Sequence, residues 1–297
     1  MKVEKVFINT YRYDFHLAKI CIASVRHWYP HIPIFLIKDE NSGKFATSRT
    51  EKIWNVQVLQ IPRKKFGWGY GKLETLFLEP SFSYLVLDAD TVLAGPIFNT
   101  VKNIQSDFVV DDEVQPVERF NEIYYNLNRI NELDESFVYP GYSFNSGQWF
   151  GTTGKITRDE FRKTLDWSEP PACRFPDIVF NGDQAHLNFA VHKLEQQNKI
   201  SVSRIKLMIW PTGSQADFID LKKIELKNEN YPYIIHWAGM GTMKFSSRPR
   251  HDILAFYRNL YYSRAGHLYF LLDKIGNIYN KLERKVMHRL AKSNSPS

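Results

Sequence analysis

The run Tyr84-Leu-Val-Leu87, followed at once by Asp88-Ala-Asp-Thr91, constrains this chain more than any other feature. Four consecutive apolar residues, without the alternation of a half-solvated strand, predict a strand buried on both faces. Such strands belong to sheets covered by helices, and the two aspartates then stand at the strand's C-terminal end. In open α/β sheets ligands bind along that edge, because the connecting loops are free to carry functional groups while the sheet stays rigid.

The flanking sequence extends the same architecture. Lys5-Val-Phe-Ile-Asn-Thr10 predicts a second buried strand, and Asp14 caps a helix through Leu17, Ile20, Cys21, Ser24, Val25 and Trp28 that Pro30 ends. Further strands are expected at Ile34–Ile37, Val56–Ile61, Phe108–Val110 and Gly147–Gly151. Helices are expected at Leu73–Leu78 before Pro80, near Glu118–Ile130, and from about Gln184 onward. Strands separated by helical patterns predict an α/β fold with a parallel sheet. With 297 residues and 43% hydrophobic content, the chain can bury one substantial core. We expect one domain over 1–250 and a helical appendage over 251–297.

Composition excludes several classes. Two distant cysteines, Cys21 and Cys173, make neither a disulfide framework nor a multi-cysteine zinc site, and a cytoplasmic compartment is the simplest expectation. The N-terminal apolar run is too short for a signal peptide, and no stretch is long and apolar enough to span a bilayer. Net charge is +7, but Arg264 to Ser297 holds seven Lys/Arg against Asp273 and Glu283, so most of the excess lies in the tail. General nucleic-acid affinity is therefore not expected.

Two aspartates one residue apart on a turn can each give an oxygen to one hard cation, which can grip both phosphates of a nucleotide diphosphate. Asp-x-Asp alone can equally be a solvated turn, but the buried flanks aim these acids into the crevice. His236 follows the apolar Tyr233-Ile-Ile235 and could complete an Asp88, Asp90, His236 set suited to Mn2+ or Mg2+. Asp183 follows the turn dipeptide Asn181-Gly182 and can cap the next helix. Tyr11 and Tyr13 each offer a face on which a base could stack. Gly67-Trp-Gly-Tyr-Gly71-Lys72 is not a phosphate loop, since Phe66 and Leu73 stand where glycine and Ser/Thr are required; it reads as a mobile glycine loop beside the donor.

Taken together, Lys72-Leu73, YLVLDADTVL, Phe144-Asn-Ser-Gly147, Asn181-Gly-Asp-Gln-Ala-His-Leu-Asn188 and His236-Trp-Ala-Gly239 resemble, in order, the motifs of the glycogenin-like, family-8 retaining glycosyltransferases. The resemblance spans residues from about 5 to 245. It implies a GT-A-type nucleotide-sugar-binding domain with a central mixed, mostly parallel sheet flanked by helices. It also implies transfer of a hexose, glucose or galactose by default, from a UDP-sugar to a glycan or lipid-linked acceptor with retention of configuration. Metal ligation falls to Asp88, Asp90 and His236, and the reacting sugar to Asp183 and Gln184. Donor contacts fall to Thr10, Tyr13, Lys72, Ala89, Asn145, Gly239 and Lys244. The family's glycine leads three positions later to Lys-Pro-Trp, whereas here Gly239 leads to Met-Gly-Thr-Met-Lys244. Either two residues are inserted or Gly241 takes the glycine's place.

Two other functions fit the pattern less well. A sugar-nucleotide nucleotidyltransferase needs a glycine-rich loop after the first strand, where this chain has Asn9-Thr-Tyr-Arg-Tyr13. A non-catalytic carbohydrate-binding relative has no physical need for an unpaired acidic cluster. In the tail, Leu268, Leu271, Leu272, Ile275, Ile278, Tyr279, Leu282 and Val286 recur at helical spacing opposite Lys274, Lys281, Arg284, Lys285 and Lys292. Such a helix either packs its apolar face on the domain or lies on an anionic membrane, which would put the enzyme on the membrane's inner face.

Overall fold

The computed structural model describes residues 1–227, 231–241 and 243–293, and the side chains of these except 281, 285 and 287–293. Lys281, Lys285 and Lys292 of the expected basic face thus lie outside the described side chains. The chain opens with β1 (Lys5–Tyr11), α1 (Phe15–Trp28), β2 (Ile34–Asp39), α2 (Ser48–Trp54) and β3 (Val56–Val58). After a 3₁₀ helix at Tyr70–Phe77 come β4 (Ser83–Asp88), β5 (Thr91–Leu93), α3 (Phe98–Val101), β6 (Phe108–Asp111), α4 (Val117–Ile123) and β7 (Gln148–Thr152). A short ribbon of β8 (Leu165–Asp166) and β9 (Ala172–Cys173) precedes α5 (Asp183–Gln196) and β10 (Val202–Ile205). The chain continues through β11 (Met208–Ile209), α6 (Leu221–Leu226), β12 (Ile234–His236), α7 (His251–Ala265) and α8 (His267–Ser293).

Seven strands form the central sheet in the order β10-β6-β7-β4-β1-β2-β3. β1 runs parallel to β2 and β4, and β2 to β3, while β7 is antiparallel to both β4 and β6. The fold is therefore α/β with a mixed, mostly parallel sheet. β4 is continuously apolar because it lies between two covered faces. On one face α1 and α7 pack with Leu85, Leu87, Ile253, Leu254 and Tyr257 in a single core. On the other, Tyr84, Val86 and Trp149 meet the 70–77 helix and α5 through Leu73, Leu76, Leu187 and Val191. Each such large side chain, fully buried, contributes about 1.5–3 kcal/mol, which fixes β4 and its terminal aspartates rigidly.

Local polar chemistry trims several expected elements. The strand expected at Val56–Ile61 ends at Val58, with one further bond from Leu59 N to Leu36 O at 2.9 Å. The helix expected to reach Ile130 stops at Ile123, because Asn121 and Asn126 side chains accept the N–H groups of Leu127 and Asn128 at 2.9 and 3.0 Å. These bonds compete with the helical ladder. Asp14 does precede α1, but its carboxylate turns back to accept from Thr10 Oγ1 at 2.7 Å and Tyr11 N at 2.8 Å instead of capping the helix.

α8 settles which of its faces meets the body. Asp273 pairs with Lys19 and accepts from Tyr262, Glu283 pairs with Arg12, and the Arg49 guanidinium lies over the Tyr269 ring. The apolar stripe points the other way: Leu271 is 43% exposed and Ile275 65%, with Leu268, Leu272, Ile278 and Tyr279 also exposed. Of the two tail readings, packing of the apolar face on the domain is thus overturned. Among the described residues no helix is long and apolar enough to cross a membrane.

Candidate active site

The C-terminal ends of β1, β2 and β4 align, with Asn9 opposite Asp88 and Tyr11 opposite Asp39. At Asp88 the chain leaves the main sheet, turns, and enters β5, which belongs to a second, three-stranded sheet. β12 pairs antiparallel with β5 so that His236 stands opposite Thr91. Trp237 N donates to Asp90 O at 3.0 Å, and Thr91 Oγ1 to Asp88 O at 2.7 Å, which fixes the turn. Strand pairing across 145 residues of sequence thereby carries the imidazole to the two carboxylates.

His236 Nε2 lies 3.2 Å from Asp90 Oδ1 and 4.0 Å from Asp88 Oδ2, and the three donor atoms all fall within 4.8 Å of one another. Around a hard divalent cation with bonds near 2.1 Å, adjacent donors stand about 3 Å apart and opposite donors about 4.2 Å. Two carboxylates and one imidazole at these separations fit Mn2+ or Mg2+ in both spacing and chemistry. The ring of Trp210 lies nearly parallel to the imidazole, with centroids 5.8 Å apart. Gly147 permits the imidazole's position, since a Cβ there would fall 2.2 Å from His236 Cε1. Burial alone would lower the His236 pKa, but the charges of Asp90 and then Asp88 outweigh it and hold it above its ordinary value. Conversely, burial would raise Asp90, but His236 holds that carboxyl below the usual range.

Lys72 connects this triad to α5. Only 2% exposed, its ammonium donates to Asp88 Oδ1 at 2.8 Å and Ser146 O at 2.9 Å and lies 2.9 Å from Asp183 Oδ2. Burial would lower its pKa, yet Asp183 and Asp88 raise it above the ordinary lysine value. The Asp183 pKa is raised: desolvation outweighs the opposing pull of Lys72, and the Asp88 charge adds to it. Asp183 opens α5, and its neighbour Gln184 accepts from Ser146 N at 3.2 Å. One turn on, Asn188 bonds both Phe144 N and Phe144 O, tying α5 to the Phe144–Gly147 segment.

The glycine segment before Lys72 is tied down instead of hanging free. The Asp39 carboxylate accepts from Phe66 N and Gly67 N at 3.0 and 2.8 Å, and Trp68 O accepts from Asp183 N at 3.0 Å. Gly69, at φ +78°, is required where it stands, because a Cβ would meet Asp183 Oδ1 at 2.2 Å.

The remaining expected residues divide into those near the triad and those away from it. Thr10 is buried at the end of β1 and holds Asp14, Ala89 is buried between the two aspartates, and Asn145 Oδ1 accepts from Gly147 N at 2.7 Å. Tyr11, the last residue of β1, forms an edge-to-face pair with Tyr13 at 5.9 Å. Gly239 takes φ +76° in the turn after β12, and Lys244 is exposed further along. Sequence reading missed the site roles of Asp14, Trp210 and Arg248, the last a buried guanidinium that feels the Asp90 charge. Desolvation raises the Asp14 pKa, and the nearby charges of Asp90 and Asp88 reinforce the shift. The only sequence signal for Asp14 was its place one turn past a strand end, which read as a helix cap.

No family model and no curated protein matches this chain. Solved structures do resemble it. The galactosyltransferase LgtC, in complex with donor and acceptor sugar analogues, superposes with a TM-score of 0.53 at 14% identity over 88% of this chain and 96% of that one. The bifunctional glycosyltransferase WbbM matches with a TM-score of 0.53 at 12% identity over 89% of this chain, which spans about half (52%) of WbbM. GlyE of Streptococcus pneumoniae TIGR4 matches with a TM-score of 0.52 at 14% identity over 87% of this chain and 60% of that one. The chain has the GT-A-type fold of these glycosyltransferases.

Proposed function

We propose that this protein is a metal-dependent glycosyltransferase that moves a hexose from a UDP-sugar to a glycan or lipid-linked acceptor, with retention at the anomeric carbon. The observation that carries the reading is the convergence of Asp88, Asp90 and His236 on one point at the sheet's carboxyl edge, with Lys72 joining them to Asp183. That LgtC binds donor and acceptor sugar analogues on the same fold supports it.

In this reading Asp88, Asp90 and His236 hold Mn2+ or Mg2+, which when bound offsets charge gathering on the leaving diphosphate. The protein's own part is positioning and electrostatic preorganisation. Lys72 holds the Asp183 carboxylate in place, and Asp183 and Gln184 present polar groups from the start of α5 toward the donor sugar. Thr10, Tyr13, Ala89, Asn145, Gly239 and Lys244 surround the donor. In front-face transfer the bond from the anomeric carbon to the phosphate oxygen breaks while the acceptor oxygen bonds on the same side. The acceptor's hydroxyl proton passes to the leaving phosphate oxygen. We also assign α8 to an anionic membrane surface, where a lipid-linked acceptor would be met. The hexose reading is tested by a screen of nucleotide sugars with Mn2+, read by release of nucleoside diphosphate. Turnover of a UDP-hexose that is abolished in folded Asp90→Asn is the expected result. Full activity of that variant in chelator-treated buffer would refute the metal-dependent mechanism.

A further inference from the structure

Between α1, α7, α8 and the 243–248 segment lies a cavity of about 360 Å3 whose charged liners are all basic: Arg248, Arg258 and Lys274. Arg248 is only 3% exposed, and its Nε is buried with no hydrogen-bond partner; the Arg258 Nε is likewise unpartnered. A buried guanidinium without an acceptor is costly, because the desolvation of a charged donor is uncompensated. The carboxylate on the adjoining face of α8, Asp273, is already tied to Lys19 and Tyr262 and does not line the cavity. The Arg258 guanidinium instead lies over the rings of Phe245 at 4.5 Å and Phe270 at 5.6 Å, with its Nε left without an acceptor. The remaining walls are largely apolar, with Ile20, Phe245, Phe270 and Ile278 among them. Ile278 also belongs to the exposed apolar stripe of α8, so the cavity opens onto that stripe.

We infer that this cavity binds a phosphate ester carrying an apolar chain, its phosphate on Arg248, Arg258 and Lys274 and its chain running out along Ile278 onto α8. Guanidinium groups suit phosphate because they offer parallel N–H donors to its oxygens. The cavity adjoins the Asp88/Asp90/His236 cluster through Arg248, which feels the Asp90 charge, but it does not depend on the transferase reading, since binding is measured without turnover.

The test is calorimetric titration of the full-length protein with dodecyl phosphate below its micelle concentration, with dodecyl maltoside and inorganic phosphate as separate probes. Dodecyl phosphate is expected to bind at least tenfold more tightly than either. Arg258→Gln and Lys274→Gln are each expected to weaken it about tenfold or more, while Arg258→Lys keeps most of the affinity and Arg284→Gln, outside the cavity, changes nothing. Lys274 is exposed, so its variant reports on binding even if Arg258→Gln were to unfold. Equal affinity for inorganic phosphate would overturn the amphiphile. Binding unchanged by Lys274→Gln and Arg258→Gln, or competition by UDP with Mn2+, would overturn the site.

Discussion

Replacing Lys72 with methionine keeps the side chain's length and removes its charge. The ammonium is 2% exposed and stands 2.8 Å from Asp88 Oδ1 and 2.9 Å from both Ser146 O and Asp183 Oδ2. Without it Asp183, itself 7% exposed, keeps a buried carboxylate beside Asp88 with no cation between them. Removing one member of a buried ion pair costs about 3–5 kcal/mol. At about 2 °C per kcal/mol for a chain of this size, Tm should fall by roughly 6–10 °C.

The loss has a definite sign with pH. Asp183 already binds its proton more tightly than an ordinary aspartate, and Lys72 is the main force opposing this, so the variant raises its pKa further. An acid whose folded pKa lies above its unfolded value is stabilising to fold only while protonated. The variant's deficit is therefore small near pH 4, where the unfolded aspartate titrates, and grows as pH rises toward the folded pKa. Differential scanning calorimetry of chelator-treated wild-type and Lys72→Met protein between pH 4.5 and 8 reads the difference directly. A deficit that stays constant across this range, or a variant as stable as wild type at pH 8, would refute the reasoning.

Two other perturbations probe different parts of the structure. Gly147→Ala puts a Cβ 2.2 Å from His236 Cε1 where carbon contacts need about 3.5 Å, so the imidazole must move by more than ~1 Å. Mn2+ affinity measured by calorimetry should drop about 10–100-fold, as for other disturbances of ligand orientation; unchanged affinity would remove His236 from the ligand set. Full-length protein should sediment with phosphatidylglycerol-containing vesicles and dissociate at high salt, each Lys or Arg near the surface adding about 1 kcal/mol. Leu271→Glu with Ile275→Glu should abolish this without lowering Tm, because both side chains are exposed; persistent sedimentation would rule out α8 as the docking face.

How much of this was legible in the sequence depended on whether a residue's role was local. β4 and its aspartates were readable because continuous apolarity followed by acids is a local pattern, and the structure places that pattern between two packed faces. The reach of α4 was not, because Asn121 and Asn126 end it through side-chain bonds that periodicity does not register. The Lys72 bridge depends on residues 16 and 111 positions away, and only the fold shows that one ammonium serves both carboxylates. Arg248 and Arg258 were invisible for the same reason. An arginine reads as surface charge until the fold shows its surroundings, the Phe245 and Phe270 rings for Arg258 and the Asp90 charge for the buried Arg248.

The charges at the sheet edge also bear on whether the site is functional. Asp88, Asp90 and Asp183 converge there; among the described residues Lys72 is the permanent cation in contact with them, and His236 supplies a second only by holding a proton. With a neutral imidazole the cluster carries two uncompensated negative charges, which a structural role would not favour, since buried unpaired charge is destabilising. The raised pKa of His236 reduces the excess in the ion-free protein. A divalent cation held by Asp88, Asp90 and His236 would offset it and release that proton, because only the neutral imidazole can act as a ligand. In the proposed reading, the surplus negative charge at the edge where β1, β2 and β4 end is what a bound divalent cation would offset.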